Sequence, residues 1–206
     1  MHQIRQKSPF EFTGGNISLD FANTVDNRTS HNPQELLTDY TRLLRWGEES
    51  GVITRKTAEK LSALADNRAD QTRTALRDAV QLRDAIYDVF SAVANHRAIP
   101  ATQLATINRA VQNASDHAQL VHASRQFTWH WISPDQHLDS ILWPLARAAA
   151  DLLTSDDLAL VRQCASETCA WLFVDRTKNH RRRWCDMRIC GNRDKARRYY
   201  QRQKKA

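Results

Sequence analysis

The residues of this chain best suited to chemistry are its four cysteines, which all lie in the last fifth of the sequence. They are Cys164, Cys169, Cys185 and Cys190. Two pairs with four residues inside each pair and fifteen between the pairs are typical of four thiolates that bind one zinc ion. Four protein ligands leave no position for a reactive water, so the spacing predicts one structural Zn²⁺. Spacing alone leaves open the alternative of buried or redox-active cysteines without a metal.

The segment around the cysteines predicts a small fold that depends on this metal. We expect a strand at 170–174, a returning strand at 182–184 and a helix over 193–203. A knuckle, a hairpin and a helix that begins beside the last ligand form a treble-clef-like zinc finger. Because so short a segment has little core of its own, we expect zinc binding to drive its folding.

Positive charge is concentrated in the same segment. Residues 162–206 hold 14 Lys and Arg against 4 Asp and Glu, whereas the rest of the chain holds 16 against 19. This imbalance indicates a phosphate-rich partner, and we predict DNA, with RNA as the alternative. The side chains expected to contact nucleic acid are Lys178, His180, Arg181, Arg182, Arg183, Arg193, Arg197, Arg198 and Arg202. The opposing interpretation is a solvated basic surface without a partner.

The remainder of the chain predicts a mainly helical domain with a small β-sheet. Alternating apolar residues predict a strand at 17–22, and Asn32 with Glu35 predicts the capped start of a helix that runs to Gly51. Further helix starts are expected at Thr54, 71, Pro100 and Ser133, and two strands near 120–122 and 127–132. The fold class is therefore α+β, with a body at 1–155 and a zinc finger at 156–206.

A polar cluster in the body is a candidate ligand pocket. Asp20, Asn23 and Thr24 follow the predicted first strand, where small-molecule sites often form. Arg83 interrupts an apolar helix stripe, so if buried it needs an acidic partner such as Asp20 or a small anionic ligand. The alternative is that the three polar residues cap a turn and that Arg83 reaches water.

Residues at both ends of the chain resemble a known family. Cys190-Gly191-Asn192-Arg193 matches the signature of the CGNR zinc finger, and the stretches 14–24 and 32–51 are similar to the ABATE domain that precedes this finger. The other residues that fit the finger are Cys164, Cys169, Trp171, Leu172, Phe173, Asp175, Asn179 and 182–185. The resemblance implies a bacterial, stress-responsive transcription regulator with a zinc-dependent DNA-binding segment.

Other function classes find little support in the sequence. No apolar run is long enough to span a bilayer and no signal-peptide pattern is present, so we expect no membrane partner and a cytoplasmic location. The chain has no Walker loop, Gly-x-Ser-x-Gly elbow or His-Glu-x-x-His helix, and we expect no enzyme. An enzyme with a pocket near Asp20 and Arg83 is the third hypothesis, and a homodimer is possible.

Overall fold

The fold is built around one long helix, α4 (Ala69–Ala94), with shorter helices and three small sheets around it. The computed structural model describes residues 8–123 and 125–203, without the side chains of Ala123, Arg198 and Arg202. The other helices are α1 (Ile17–Ala22), α2 (Tyr40–Glu49), α3 (Arg55–Asp66), α5 (Ala101–Asp116), α6 (Leu142–Leu153) and α7 (Asn192–Gln203). The strands are β1 (Val25–Asp26), β2 (Gln34–Glu35), β3 (Ala118–Ala123), β4 (Gln126–Trp131), β5 (Val161–Gln163) and β6 (Leu172–Val174).

Each of the three sheets is an antiparallel pair. β1 pairs with β2, β3 with β4, and β5 with β6. Val161 lies opposite Val174, so β5 and β6 flank the connection that carries the first two cysteines. The predicted α+β class is confirmed, and in the described part of the chain every helix is too short or too polar to span a lipid bilayer.

The main hydrophobic core lies where α1 packs between α4 and α6. Its largest fully buried side chains include Trp46, Trp143, Phe21 and Phe90. The rings of Phe21 and Trp46 lie 5.1 Å apart, which ties α1 to α2. Removing such aromatic area from water is a main source of folding free energy.

Residues 17–22 form a helix, and the predicted strand is wrong. The side chain of Asn16 accepts a hydrogen bond from the Ser18 N–H and so caps α1. Five of the six residues of α1 are buried, from Ser18 to Ala22. A helix that is buried on almost every side has no polar face, so its short apolar–polar alternation imitated a half-buried strand.

The second helix begins later than Asn32, the predicted cap. Asp39 caps α2 instead, through a hydrogen bond that its carboxylate accepts from the Arg42 N–H at 2.8 Å. Glu35 lies in β2, where its carboxylate accepts a hydrogen bond from Arg83 Nη1 at 2.6 Å. A buried cation has to be matched by an anion, and this demand explains why Glu35 does not form the predicted capping box.

The predicted helix start at Ser133 also differs from the structure. Only a single 3₁₀ turn follows, at Pro134–Gln136, and α6 begins at Leu142. The hydroxyl of Tyr40 donates to the Leu138 carbonyl at 2.7 Å, which removes that carbonyl from any helical pattern. The cap at Thr54, the long α4 and the hairpin of β3 and β4 lie where the sequence predicts them.

Candidate metal centre and nucleic-acid interface

The four cysteines meet at one buried point. Their Sγ atoms all lie within 4.8 Å of one another. Cys185 Sγ is 3.5 Å from Cys169 Sγ and 3.6 Å from Cys190 Sγ. Four sulfurs at the ordinary Zn–S distance of about 2.3 Å are separated by about 3.8 Å in a tetrahedron, so the arrangement fits one structural zinc with four thiolate ligands.

The first cysteine pair is positioned by the turn between β5 and β6. The Cys164 N–H donates to the Trp171 carbonyl at 2.8 Å, which closes the turn at its base. Ala170 adopts a left-handed backbone with φ of 56°, so the chain reverses directly after Cys169. The predicted partner of the 170–174 strand at 182–184 is wrong, because β6 pairs with β5 and the described residues 182–184 form no strand.

The second cysteine pair is positioned by Asp186. Its carboxylate caps the helical turn Met187–Gly191, and its carbonyl accepts from the N–H groups of Cys190 and Gly191. The turn runs directly into α7, so the last ligand lies at the start of the final helix. A metal that holds Cys190 therefore also holds the first turn of α7.

Backbone and side-chain hydrogen bonds join β6 to the body. Asn23 is buried, and its amide both donates to the Leu172 carbonyl and accepts from the Leu172 N–H, at 2.9 and 2.8 Å. The Val174 N–H donates to the Gly14 carbonyl, and the indole N–H of Trp171 donates to the Val25 carbonyl. Val161, Leu172 and Val174 belong to the main core. The core therefore continues across the predicted boundary at 155–156.

Asp175 organises the loop that follows β6. Its buried carboxylate accepts hydrogen bonds from the N–H and hydroxyl of Thr177 and from the Arg182 N–H. Burial opposes ionisation of Asp175, and these hydrogen bonds outweigh it, so its pKa lies below the ordinary value. The carboxylate thus fixes the basic loop, defined here as residues 177–183.

The predicted nucleic-acid contacts fall into two groups, and the first group has structural partners. Arg182 donates to the carbonyls of Trp184, Cys185 and Thr13, and its guanidinium lies 4.3 Å from the centre of the Phe173 ring. Arg197 forms ion pairs with Glu167 and Asp194. The ring of His180 contacts the Asp175 carbonyl at 2.9 Å. These three side chains hold the finger together.

The second group of cations faces solvent. Its members are Lys178, Arg181, Arg183 and Arg193, together with Arg188 and Lys195, which the sequence analysis did not select. Arg193 makes two long hydrogen bonds, one of 3.4 Å to the side-chain amide oxygen of Asn27 and one of 3.3 Å to the Thr168 hydroxyl. No ion pair within the described residues involves the other five. The side chains of Arg198 and Arg202 lie outside what the structure describes.

The carboxylates of the same segment are turned inward. From 175 to 203 the chain has three acidic residues, Asp175, Asp186 and Asp194. Asp175 and Asp194 are buried, and Asp186 is half-buried at its cap. Within this segment the cations are therefore more exposed than the carboxylates, and the exposed carboxylates that pair with it, Asp157 with Arg176 and Glu167 with Arg197, come from earlier in the chain. An excess of exposed cations is the charge pattern that attracts phosphate.

Each of the four residues of the predicted ligand pocket makes contacts within the protein. Asp20 accepts a hydrogen bond from the Gly14 N–H at 2.7 Å, and the Thr24 hydroxyl donates to the Phe21 carbonyl. Arg83 is 3% exposed and pairs with Glu35 and Asp84 rather than with Asp20. With Asn23 bound to β6, all four have structural contacts. The pocket at these residues and its small anionic ligand stay a prediction.

Comparison with protein families agrees with this geometry. The model of the ABATE family, described as "Putative stress-induced transcription regulator", matches residues 15–156, and the model of the CGNR zinc finger matches residues 161–203. Fold and cysteine cluster together define a zinc-finger protein with a helical body. The chain belongs to the ABATE family, and the resemblance found in its sequence is confirmed. A search of curated proteins finds no significant match.

Sequence reasoning missed the residues that join the finger to the body. Asn23 was assigned to a ligand pocket, although its amide serves β6. Asp175 was noted only as part of the resemblance, and its role became clear from three hydrogen bonds that no spacing rule describes. The one available signal is the run of apolar residues at 170–174, because a strand with apolar residues on both faces needs cover on both sides.

Proposed function

We propose that this protein is a zinc-dependent DNA-binding transcription regulator of the stress-responsive kind that its family description suggests. The observation that carries the proposal is the separation of charge in the segment 175–203, where most cations are exposed, two of the three carboxylates are buried and the third, Asp186, is half-buried. Surfaces of this kind bind the phosphates of nucleic acid and release counterions. The four-cysteine site fixes the shape of the surface and leaves no position for catalysis.

The cations are held on two separate elements. Lys178, Arg181 and Arg183 lie on the basic loop, whereas Arg193 and Lys195 lie on α7. The Ala165 N–H donates to the Arg183 carbonyl, so the loop is tied to the knuckle of the first cysteine pair. Two rigid basic elements can contact phosphates of both strands of a duplex. Contacts to base edges by arginine would then supply sequence preference.

The proposal is tested by the salt dependence of DNA binding. Zinc-loaded protein is titrated against a random-sequence duplex at several salt concentrations, and the triple variant Lys178→Ala, Arg181→Ala, Arg183→Ala is compared with it. Each phosphate contact contributes about 0.9 to the slope of log K against log [salt]. We expect the variant to bind more weakly and its slope to fall by about 2 to 3.

The matched control removes three body arginines of equal charge. Arg55, Arg73 and Arg77 are exposed, and each lies beside a carboxylate of its own helix. Their replacement by Ala should leave the slope unchanged, because they serve local ion pairs. Equal slopes for both triple variants would contradict the proposal and reduce the binding to general attraction by net charge.

RNA is the second candidate partner, and one observation favours it. Tyr199 and Tyr200 on α7 are 59% and 66% exposed, with ring centres 5.8 Å apart. Exposed aromatic rings beside cations can stack on unpaired bases. A competition between duplex DNA and hairpin RNA of equal length decides between the partners. RNA would be established as the partner if hairpin RNA is the better competitor and if Tyr199→Ala and Tyr200→Ala remove this preference for RNA.

A homodimer through the hairpin of β3 and β4 is part of this proposal. Leu120 lies opposite Trp129, and His122 lies opposite Phe127, so these side chains share one face. Leu120, Phe127 and Trp129 are each more than half exposed, and the described residues of both strands include no Lys, Arg, Asp or Glu. The guanidinium of Arg147 lies 4.6 Å from the centre of the Trp129 ring and is paired with Asp151, so a second copy that covers this face meets a neutralised cation there. The face offers a few hundred Å² per copy, against about 800 Å² in a stable interface, so the dimer is weak.

The dimer is tested by sedimentation of the full chain over a concentration series, with and without duplex DNA. We expect a dissociation constant in the micromolar range or weaker, and a dimer that forms more readily on DNA. Trp129→Lys should abolish it by placing two charges in the interface. A monomer at every concentration, with and without DNA, would overturn the dimer without affecting the DNA-binding proposal.

A further inference from the structure

We propose that the cysteine cluster is also a modification site, at which a small neutral peroxide oxidises the cysteines that line a cavity between the finger and the body. This inference concerns cysteine chemistry and does not depend on DNA binding. The cavity has a volume of about 170 Å³ and is partly enclosed. Such a volume holds several water-sized molecules, and hydrogen peroxide is only slightly larger than water.

The cavity reaches three of the four cysteines. Cys169, Cys185 and Cys190 line it, and Cys164 is absent from its lining. The four side chains are otherwise well covered, with exposures between 2% and 5%. The cavity thus gives access to Cys169, Cys185 and Cys190 from the side of the body, whereas Cys164 lies outside it.

The rest of the lining selects the kind of molecule that enters. Glu11 and Asp26 contribute carboxylates, and Arg193 contributes a guanidinium. Trp171 and Leu36 complete the wall with apolar surface. The carboxylates disfavour anionic oxidants such as hypochlorite, and the charged groups together disfavour an apolar guest. A small, polar and uncharged oxidant fits this lining.

Thiolates held in this geometry can be converted to a disulfide. One thiolate attacks a peroxide oxygen and forms a sulfenic acid, with release of hydroxide. A neighbouring thiolate then attacks the sulfenic sulfur, forms the S–S bond and displaces a second hydroxide. The two sulfurs lose two electrons in total, and the peroxide gains them. Cys185 Sγ has two such neighbours, Cys169 at 3.5 Å and Cys190 at 3.6 Å.

Oxidation at this site would remove ligands from the metal and release the end of the chain. Cys190 directly precedes α7, and its N–H is bonded to the Asp186 carbonyl of the same turn. Without the metal, the described contacts that join α7 to the knuckle of the first cysteine pair are the exposed ion pair of Arg197 with Glu167 and the long hydrogen bond of Arg193 to Thr168. The two remaining thiols do not form a four-ligand site, so zinc should leave as the disulfide forms.

The experiment treats the zinc-loaded full chain with hydrogen peroxide and follows two readouts over time. A chelating dye reports released zinc, and mass spectrometry after alkylation reports the oxidation state of each cysteine. We expect zinc release to accompany one of two alternative disulfides, Cys169–Cys185 or Cys185–Cys190, in each molecule. Cys164 should stay reduced at early times. Equal reaction of all four cysteines, or no zinc release above the untreated rate, would overturn the proposal.

Filling the cavity provides a matched control. Leu36→Trp enlarges a wall residue that belongs to the body, whereas Leu64→Trp enlarges a half-buried residue of α3 that is not part of the lining. We expect oxidation to slow at least fivefold in Leu36→Trp only, with one zinc bound in both variants. Ile189→Phe, on the opposite wall, replaces Leu36→Trp if that variant fails to fold. Unchanged oxidation rates in a folded filled variant would show that the cavity is not the route.

Discussion

The two halves of the zinc finger are attached to the molecule in different ways. The anchored half, 161–176, lies in the main core through Val161, Leu172 and Val174 and receives both hydrogen bonds of Asn23. The projecting half, 177–203, contacts the body through Arg182 at the Thr13 carbonyl and through Arg193 at the Asn27 side chain. Arg193 and Arg197 also contact Thr168 and Glu167 of the anchored half. The cations of the projecting half stay exposed because this half is not buried against the body.

The difference assigns different work to protein packing and to metal. Packing of Val161, Leu172 and Val174 against the body supports the first cysteine pair, so we expect this pair to keep its place without zinc. The second pair and α7 depend on the shared cluster, which also buries Phe173 and Trp171 around the sulfurs. One ion therefore connects the projecting half to the anchored half.

Loss of the metal should have the largest effect, and it should be confined to one half. Cys190→Ser removes a ligand, and structural zinc contributes about 10 kcal/mol or more to the folding of small fingers. We expect amide hydrogen exchange in α7 to approach that of an unfolded chain, while β5 and β6 keep most of their protection. Ser166→Ala, a change in the knuckle that spares the ligands, serves as the control. Equal loss of protection in both halves would refute the division.

Loss of the Asn23 amide should weaken the anchored half. Asn23→Leu leaves the N–H and the carbonyl of Leu172 buried without partners, and each unpaired group costs about 1–3 kcal/mol. We expect the free energy of unfolding, measured with denaturant, to fall by about 2 to 5 kcal/mol with zinc bound. Asn32→Leu, in an exposed loop, should change it by less than about 0.5 kcal/mol. If Asn23→Leu left the free energy of unfolding unchanged, the metal and not the body would position β6.

The stability of the folded protein should depend on pH through Asp20. Burial raises the pKa of Asp20 from 3.8 to about 6, against hydrogen bonds from the Gly14 and Thr13 N–H groups. The folded state therefore binds this proton more tightly than the unfolded state does. The contribution of Asp20 to stability is fully present below about pH 4 and is lost as the pH rises through about 6, by at most about 3 kcal/mol. Asp20→Asn keeps an acceptor for Gly14 and should flatten this part of the curve. A variant curve parallel to the wild type between pH 4 and 7 would contradict the assignment.

Two adjacent arginines give the finest test. Arg182 is bonded to three carbonyls, whereas Arg183 is exposed and contacts the Trp184 ring. Arg182→Lys should lower the free energy of unfolding by about 2 kcal/mol, and Arg183→Lys by less than about 0.5 kcal/mol. Calorimetry of both zinc-loaded variants checks this order. Reversal of the two effects would remove Arg182 from the structural group.

The cysteine cluster could be predicted because its information is local. Ligand type and spacing limit a thiolate site strongly, and the helix after Cys190 follows from the absence of Gly and Pro over 193–203. The choice among the arginines could not be made in this way. Arg182 and Arg183 are identical in the sequence, and only the approach of the Thr13 carbonyl and the Phe173 ring separates them.

The errors in the body have a common physical cause. The strand predicted at 17–22 and the helix start predicted at Asn32 both relied on short local patterns, which tertiary contacts overrode. Glu35 is drawn to the buried Arg83, and α1 is surrounded by α4 and α6. Longer patterns such as α4 and α5 were predicted well, because several turns of one apolar face outweigh any single contact.

The three apolar side chains of β5 and β6 in the main core also decide how far the finger can be transplanted. A peptide cut between 155 and 156 would expose Val161, Leu172 and Val174, each worth about 1.5–3 kcal/mol when buried. Such a fragment would be sticky as well as unstable. If the CGNR segment were grafted onto another protein, α7 would also lose its orientation, because the packing of β5 and β6 against the body sets the direction of this helix. The body thus sets the orientation of the finger, and replacing the body would change the direction in which the finger presents its basic surface.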